Sequence, residues 1–487
     1  MNRISRRSVL GAACAASVGS AVPGLYGVGR AEAVPDPLTT DIESHRALVA
    51  AARAGSPDLG PLIAALCPRL ASLPARREPL AKVAGSASGA IGWGNPSNND
   101  AAVVWGEHCV FLTAHPRPVT IRIDEGSARP MKAVTGTPYW YRVERIRLGA
   151  THNFSFYDGE RELDCYTVAG YTPASYPRLD VPRGTMSEQR TITSALYGGA
   201  QSDYWLYVNP GVDGVRGAPL MLWLDGGMHV GNRDWRGLRM QVVTDNLVHD
   251  GRIPPMVHVL INPGRGGPPQ PKQYPDEDPG SAMRSLQYDT VSDLFARHIA
   301  EEVLPQVGRE VKLRPDGYSH AVAGQSSGGT ACFKLGWYRP DLFSRVMPSI
   351  AGFTALGLQP EDGPTGGFLF PYLVRREPRR NLRVWLSESM NGIDVAEDGR
   401  RDMYLAGSWP LANIAMAQAL KTRGYDFHFR YGQGYHNMAQ QGLDLPEALA
   451  WLWRGYDPDR TAQAFEQDPA ERAAPLYRVG IVNRPAW

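Results

Sequence analysis

The stretch HAVAGQSSGGTACFKLGWYRPDLF, His320 to Phe343, constrains the fold more than any other part of this chain. A short apolar run, His320 to Ala323, enters Gly324-Gln325-Ser326-Ser327-Gly328, and helix-forming residues follow at once. Gly-x-Ser-x-Gly in that setting fits a strained turn at a sheet edge, where the middle serine is held out and the flanking glycines remove side chains that would clash. Ser326 is then the attacking group. The backbone N–H of Ser327, at the start of the helix, faces any oxyanion that forms. Among 52 glycines the pentapeptide alone carries little weight, and its place between strand and helix supplies the rest.

The surrounding sequence has the texture that such a turn requires. DYWLYVNP, PLMLWLDGG, VHVLINPG, HAVAGQSSGG, LRVWLSES and DFHFRYGQGYH read as strands, and helical patterns fall between most of them. The clearest helix is TVSDLFARHIAEEVLPQV, with Leu294, Ile299 and Val303 on one face. Strand and helix in alternation imply a mostly parallel sheet covered on both sides.

A serine hydroxyl attacks only when a base takes its proton, and in this fold order the base follows the last strand. FHFRYGQGYHN places His436 there in a Gly-rich loop, while His428 reads as a strand side chain. The acid should follow LRVWLSES, where Glu388, Asp394, Glu397 and Asp398 are available; Asp394 is the first candidate and Glu388 the second. A second oxyanion donor belongs after an earlier strand. LMLWLDGGMHVG offers the N–H of Gly227, with Met228 as the alternative.

Composition bounds the rest. With 487 residues, 43% hydrophobic and 21% charged, the chain is globular and long enough for two or three domains. A formal net charge of +2, with no basic run interleaved with aromatics, gives no reason to expect a nucleic-acid partner. Arg6 and Arg7 precede a short, weakly apolar segment, and Ala31-Glu32-Ala33 supplies a cleavage site, so residues 1–33 read as a twin-arginine export signal. That apolar run, broken by Gly, Ser and Pro23, is too short for stable membrane insertion. After export four cysteines remain: Cys67, Cys109, Cys165 and Cys332. None has C-x-x-C spacing and no His pair stands at zinc-ligand distance, so no structural metal is expected, and acyl transfer through a serine needs no metal or organic cofactor. Cys109 and Cys165 are the pair an oxidising compartment could join, with buried free thiols as the alternative.

Residues 34–95 read as short packing helices followed by a Gly/Ser/Asn-rich linker. Residues 96–180 alternate polar and apolar residues in short runs and imply a small β-sandwich. Residues 181–460 form the catalytic α/β region, and 461–487 a C-terminal tail.

Several of these motifs, SDYWLYVNP, WLDGG, RSLQYDTVSDLFARHIAEEVLPQV, VAGQSSGG, SWPLANIAMAQALKTRGYDFHFRYGQGYHN and LPEALAWLWRGYDP, occur together in order and spacing. In this the chain resembles the enterochelin-esterase-like branch of the esterase D family of α/β hydrolases. MKAVTGTPYWYRVERIRLGATHNFSFYDGE is similar to that branch's N-terminal immunoglobulin-like, early-set domain. The resemblance implies an α/β-hydrolase fold and a serine hydrolase of esters, with Ser326 as nucleophile and His436 as base. It departs at two places. An ungapped match sets Gly392 where the family has its Asp, and a two-residue insertion brings Asp394 into register. Gln287 also stands where relatives often carry Glu.

The expected partner is a small-molecule ester, of a siderophore, an aryl acid or a sugar. Trp235, Trp409 and Tyr435 lie in segments expected on the catalytic face, and Arg284, with Arg233 and Arg236, could meet a polar or anionic acyl group. Two alternatives share the fold: an exported acyltransferase with an alcohol acceptor, and a binding protein that has lost its acid.

Overall fold

Between residues 100 and 170 the runs are too short to stand alone, and neighbours along the chain pair into hairpins. They form β1 (Ala102–Trp105), β2 (His108–Ala114), β3 (Thr120–Ile123), β4 (Arg129–Pro130), β5 (Lys132–Ala133), β6 (Tyr139–Arg145), β7 (Thr151–Asp158) and β8 (Arg161–Ala169). Their pairings are antiparallel, in two sheets ordered β1-β2-β6-β5 and β4-β3-β7-β8. Phe111 of the first sheet meets Phe154 of the second edge-on, with ring centroids 4.7 Å apart, and Phe156 and Tyr166 complete the layer. Two helices, α1 (Pro37–Ala54) and α2 (Leu59–Leu66), cover the other face of the first sheet, setting Leu48, Ile63 and Leu66 against Val103, Val110 and Leu112.

This computed structural model describes residues 37–68, 70, 100–268, 279–354, 366–392, 407–474 and 480–481. The export signal read at 1–33, nearly all of the Gly/Ser/Asn-rich linker, part of the tail and Asp394 lie outside those residues. The disulfide considered for Cys109 is not formed: its thiol is free and buried. Burial raises its pKa well above the usual thiol range, which keeps it protonated and inert.

The larger sheet contains β9 (Thr185–Met186), β10 (Arg190–Ser194), β11 (Ala200–Val208), β12 (Leu220–Leu224), β13 (Val257–Ile261), β14 (His320–Gln325), β15 (Arg345–Ser349), β16 (Arg383–Asn391), β17 (Asp426–Tyr435) and β18 (Gly480–Ile481). Its order is β10-β11-β13-β12-β14-β15-β16-β17-β18, with β9 also on β11. Pairings of β11 with β9, β10 and β13 are antiparallel, and from β13 to β18 every pairing is parallel. The result is a mixed sheet of the α/β-hydrolase kind, preceded by a mostly antiparallel sandwich.

The α-helices of this region include α3 (Asn232–Arg236), α4 (Met240–His249), α5 (Pro279–Tyr288), α6 (Leu294–Arg297), α7 (Leu304–Gly308), α8 (Ser327–Tyr338), α9 (Leu369–Arg376), α10 (Trp409–Thr422) and α11 (Ala439–Leu452). Strand β12, buried throughout, shows why they flank both faces. Its Leu220, Leu222 and Leu224 join a core that includes Ile299, Phe333, Phe370 and Leu420. Met221 and Trp223 join the opposite core with Val243, Leu247, Leu445 and Leu449. The long helix expected from Thr290 to Val307 begins only at Leu294 and then runs on with a change of pitch, a π-helical stretch His298–Val303 lying between α6 and α7. His428 stacks on Trp385, with centroids 4.3 Å apart, as a strand side chain.

Candidate active site

The turn between β14 and α8 is as tight as its glycines require. Ser326 has φ 59° and ψ −132°, a backbone conformation that side chains with a Cβ rarely adopt. A Cβ on Gly324 would stand 2.1 Å from the carbonyl oxygen of Gly328, so no larger residue fits there. The Ser326 N–H donates to Ser349 O at 3.1 Å, and its carbonyl accepts from Gly329 N at 2.8 Å, pinning the strained residue from both sides.

Nε2 of His436 lies 3.1 Å from Oγ of Ser326, within hydrogen-bond reach. The imidazole follows β17, and the edge-on ring of Trp409, first residue of α10, packs against it at 4.7 Å and 86°. Burial, and then the charge of Arg284, pulls the imidazole pKa down to about 3. The ring is therefore neutral at pH 7 and can take a proton on Nε2 when Nδ1 carries the ring hydrogen.

Glu388, the second acid candidate, is turned to other partners. One oxygen accepts from Ser389 N at 2.7 Å and the other from Asn413 Nδ2 at 2.6 Å. Burial raises its pKa to about 8, which favours the protonated carboxyl.

The oxyanion donors differ from the expectation at one position. Ser327 N–H is the first amide of α8, with no carbonyl of its own helix to receive it. The Gly227 N–H, expected to be its companion, donates instead to Asn262 Oδ1 at 2.8 Å. Met228 N–H donates to Asp225 O at 3.0 Å. The cause is Asp225, which takes a left-handed conformation (φ 55°, ψ 40°) and curls Gly226–His229 into a single turn on the end of β13.

Of the residues expected to line the substrate site, Trp235 belongs elsewhere. It is fully buried, its ring 6.1 Å from those of Trp105 and Tyr176 and 3.9 Å from the Arg239 guanidinium, where α3 meets the sandwich. The aromatic sequence around it carries no sign of which side it faces. Trp409 is also buried, against His436, and Tyr435 is half-buried at the end of β17. Arg236 is held by Asp100 and Asn232, and Arg233 is exposed. Arg284 stands near enough to affect His436, but its guanidinium is engaged by Asp225. Asn262 and Asn413 carry no local sequence signal for their roles, whereas Asp225 does, since it opens the Gly-Gly turn of WLDGG.

A family model described as "Putative esterase" matches residues 202–452, just over half of the chain. The chain belongs to the putative esterase family. Within that esterase family its homology is to the enterobactin and enterochelin esterases, in keeping with the resemblance drawn from its motifs. The iron(III) enterobactin esterase of Dickeya dadantii is 25% identical over 274 residues, 54% of this chain and 54% of that protein. The chain thus spans about half the length of the curated relative it matches. Among solved structures, the enterobactin esterase of Shigella flexneri is similar at 16% identity, covering 71% of this chain and 93% of that one with a TM-score of 0.48. A ferulic acid esterase from Anaeromyces mucronatus is similar at 14% identity, with 59% and 97% covered and a TM-score of 0.42.

Proposed function

We propose that this protein is an exported serine esterase that hydrolyses a carboxylic ester through an acyl-enzyme. The observation that carries the reading is the 3.1 Å approach of His436 Nε2 to Ser326 Oγ at a strained strand-to-helix turn. His436 removes the serine proton as the oxygen attacks the ester carbonyl, and Ser327 N–H receives the oxyanion. Gly227 N–H can join it once Asn262 releases the amide. Collapse expels the alcohol with the proton from His436, and water activated by the same ring then frees the acid. Asp394 is the proposed orienting acid.

The substrate proposed is a siderophore, aryl or sugar ester, a reading supported by the enterobactin esterase relative. The sandwich is proposed as an immunoglobulin-like, early-set domain, and export by the twin-arginine route is supported by Arg6-Arg7 and Ala31-Glu32-Ala33.

A fluorophosphonate probe tests the chemistry. It should label the protein once, and the label should vanish in Ser326→Ala and fall steeply in His436→Ala. Undiminished labelling of Ser326→Ala would overturn the reading.

A further inference from the structure

His436 lies on a short segment between Gln433, near the end of β17, and Ala439, where α11 begins. Both flanks are held by the sandwich. On one side, Asn153 of β7 donates from Nδ2 to Gln433 O at 3.2 Å. That amide is itself fixed: its Oδ1 accepts from Thr167 Oγ1 at 3.0 Å, the residue opposite it on β8. Its backbone is tied to Asp124, N–H to Oδ1 at 3.0 Å and carbonyl to the Asp124 N–H at 2.8 Å. On the other side, Leu443 of α11 is buried in the sandwich core with Phe154, Phe156 and Tyr166, and Ala439 packs against the same cluster. One turn is braced as well: Tyr171 donates its hydroxyl to Gly237 O at 2.7 Å, and Tyr171 and Gly237 close over Gly442.

A loop clamped at both ends has few conformations left, and a base must hold its nitrogen within a few tenths of an ångström of the serine oxygen to act. The donor to Gln433 O comes from a strand 280 positions earlier in the chain, so the bond ties the histidine segment to the sandwich. We infer that the sandwich is the positioning element for His436, and that Asn153 is the positioning residue through which it acts. This rests on the esterase reading above and assigns the sandwich a part in the chemical step rather than in capturing substrate.

The test compares Asn153→Ala, Asn153→Asp and the core variant Val110→Ala in the full-length chain. Val110 is buried on the sandwich face that meets α1 and α2, so its loss destabilises the sandwich without touching β17. With p-nitrophenyl acetate, Asn153→Ala should lower kcat about tenfold, leave KM within about twofold, and slow fluorophosphonate labelling in parallel. Asn153→Asp should do worse, because a carboxylate cannot donate and would face the Gln433 carbonyl. Val110→Ala should lose thermal stability yet keep the parental kcat and labelling rate. Parental kcat and labelling in both Asn153 variants would overturn the inference, as would a matching kcat loss in Val110→Ala. Labelling of the parent that persists in Ser326→Ala would instead defeat the esterase reading, and a parent inert to both reagents would defeat the two together.

Discussion

The guanidinium of Arg284 grips the carboxylate of Asp225 with two parallel hydrogen bonds, Nε to Oδ1 at 2.9 Å and Nη2 to Oδ2 at 2.8 Å. Arg284 comes from α5 and Asp225 from the turn after β12, so the pair ties two elements beside the Ser326 turn. A Cβ on Gly328 would lie 2.9 Å from Asp225 Oδ2, which measures how closely that carboxylate approaches the serine loop. The positive charge of Arg284 also disfavours the protonated form of His436.

Replacing Arg284 by Met should therefore move the acid limb of the kcat/KM profile to higher pH. Loss of the guanidinium removes a repulsion from the imidazolium, and the Asp225 carboxylate left behind adds an attraction. Both raise the pKa of the base. A profile measured with p-nitrophenyl acetate checks the direction, and a limb that stays put or moves to lower pH counts against the electrostatic link.

Ser326 holds a conformation that costs about 1–3 kcal/mol for a residue with a Cβ. Glycine reaches that region freely. Ser326→Gly should accordingly be more stable than Ser326→Ala by about 1 kcal/mol, although both lose esterase activity. Urea unfolding of the two inactive variants decides it; equal midpoints would mean that the turn stores no strain.

Glu388 makes stability fall as pH rises. Burial raises its pKa from 4.5 to about 8, so between those limits the folded protein binds the proton more tightly than the unfolded chain does. The contribution is complete below pH 4.5 and is lost progressively up to about pH 8, at about 1.4 kcal/mol per pH unit. Glu388→Gln should flatten that slope, and its stability relative to the parent should improve on going from pH 5 to pH 8. Denaturant titrations at several pH values provide the comparison, and parallel curves would argue against a buried neutral carboxyl.

Trp235 should behave as a core residue. Trp235→Ala should destabilise by about 3–5 kcal/mol, as expected for emptying a buried aromatic site. The milder Trp235→Phe should cost less and leave KM for p-nitrophenyl acetate and for larger aryl esters unchanged. A KM that rises selectively for the larger esters would return Trp235 to the substrate site.

Much of the architecture was legible because its signals are local. The buried runs of β11 to β14, β16 and β17, and the glycine-flanked serine ahead of α8, each announce themselves within ten or so residues. Strand β15 escaped notice because its five residues, Arg345 to Ser349, contain a proline and open on an arginine. Arg345 reads as surface, yet it is buried and lies over the rings of Tyr318 and Trp453 at 4.6 and 4.8 Å. The two short strands β9 and β10 carry too few apolar residues to stand out before they pair with β11. Trp235 and Trp409 look alike in sequence as aromatic residues near the catalytic segments. One is walled in by the sandwich and α1, the other lies on the imidazole.

Taken alone, the order of residues determined the strand–turn–helix around Ser326, the alternation that requires a covered parallel sheet, and the separate alternating region that pairs as a sandwich. These follow from backbone sterics and from burial periodicity, which act over a few residues. Only the tertiary structure decided that His436 meets Ser326 across 110 positions, that Asn262 occupies the amide of Gly227, and that Asn153 reaches the strand bearing the histidine. Those contacts join side chains and amides from distant segments, and their geometry is set by how whole sheets and helices pack, which no local pattern encodes.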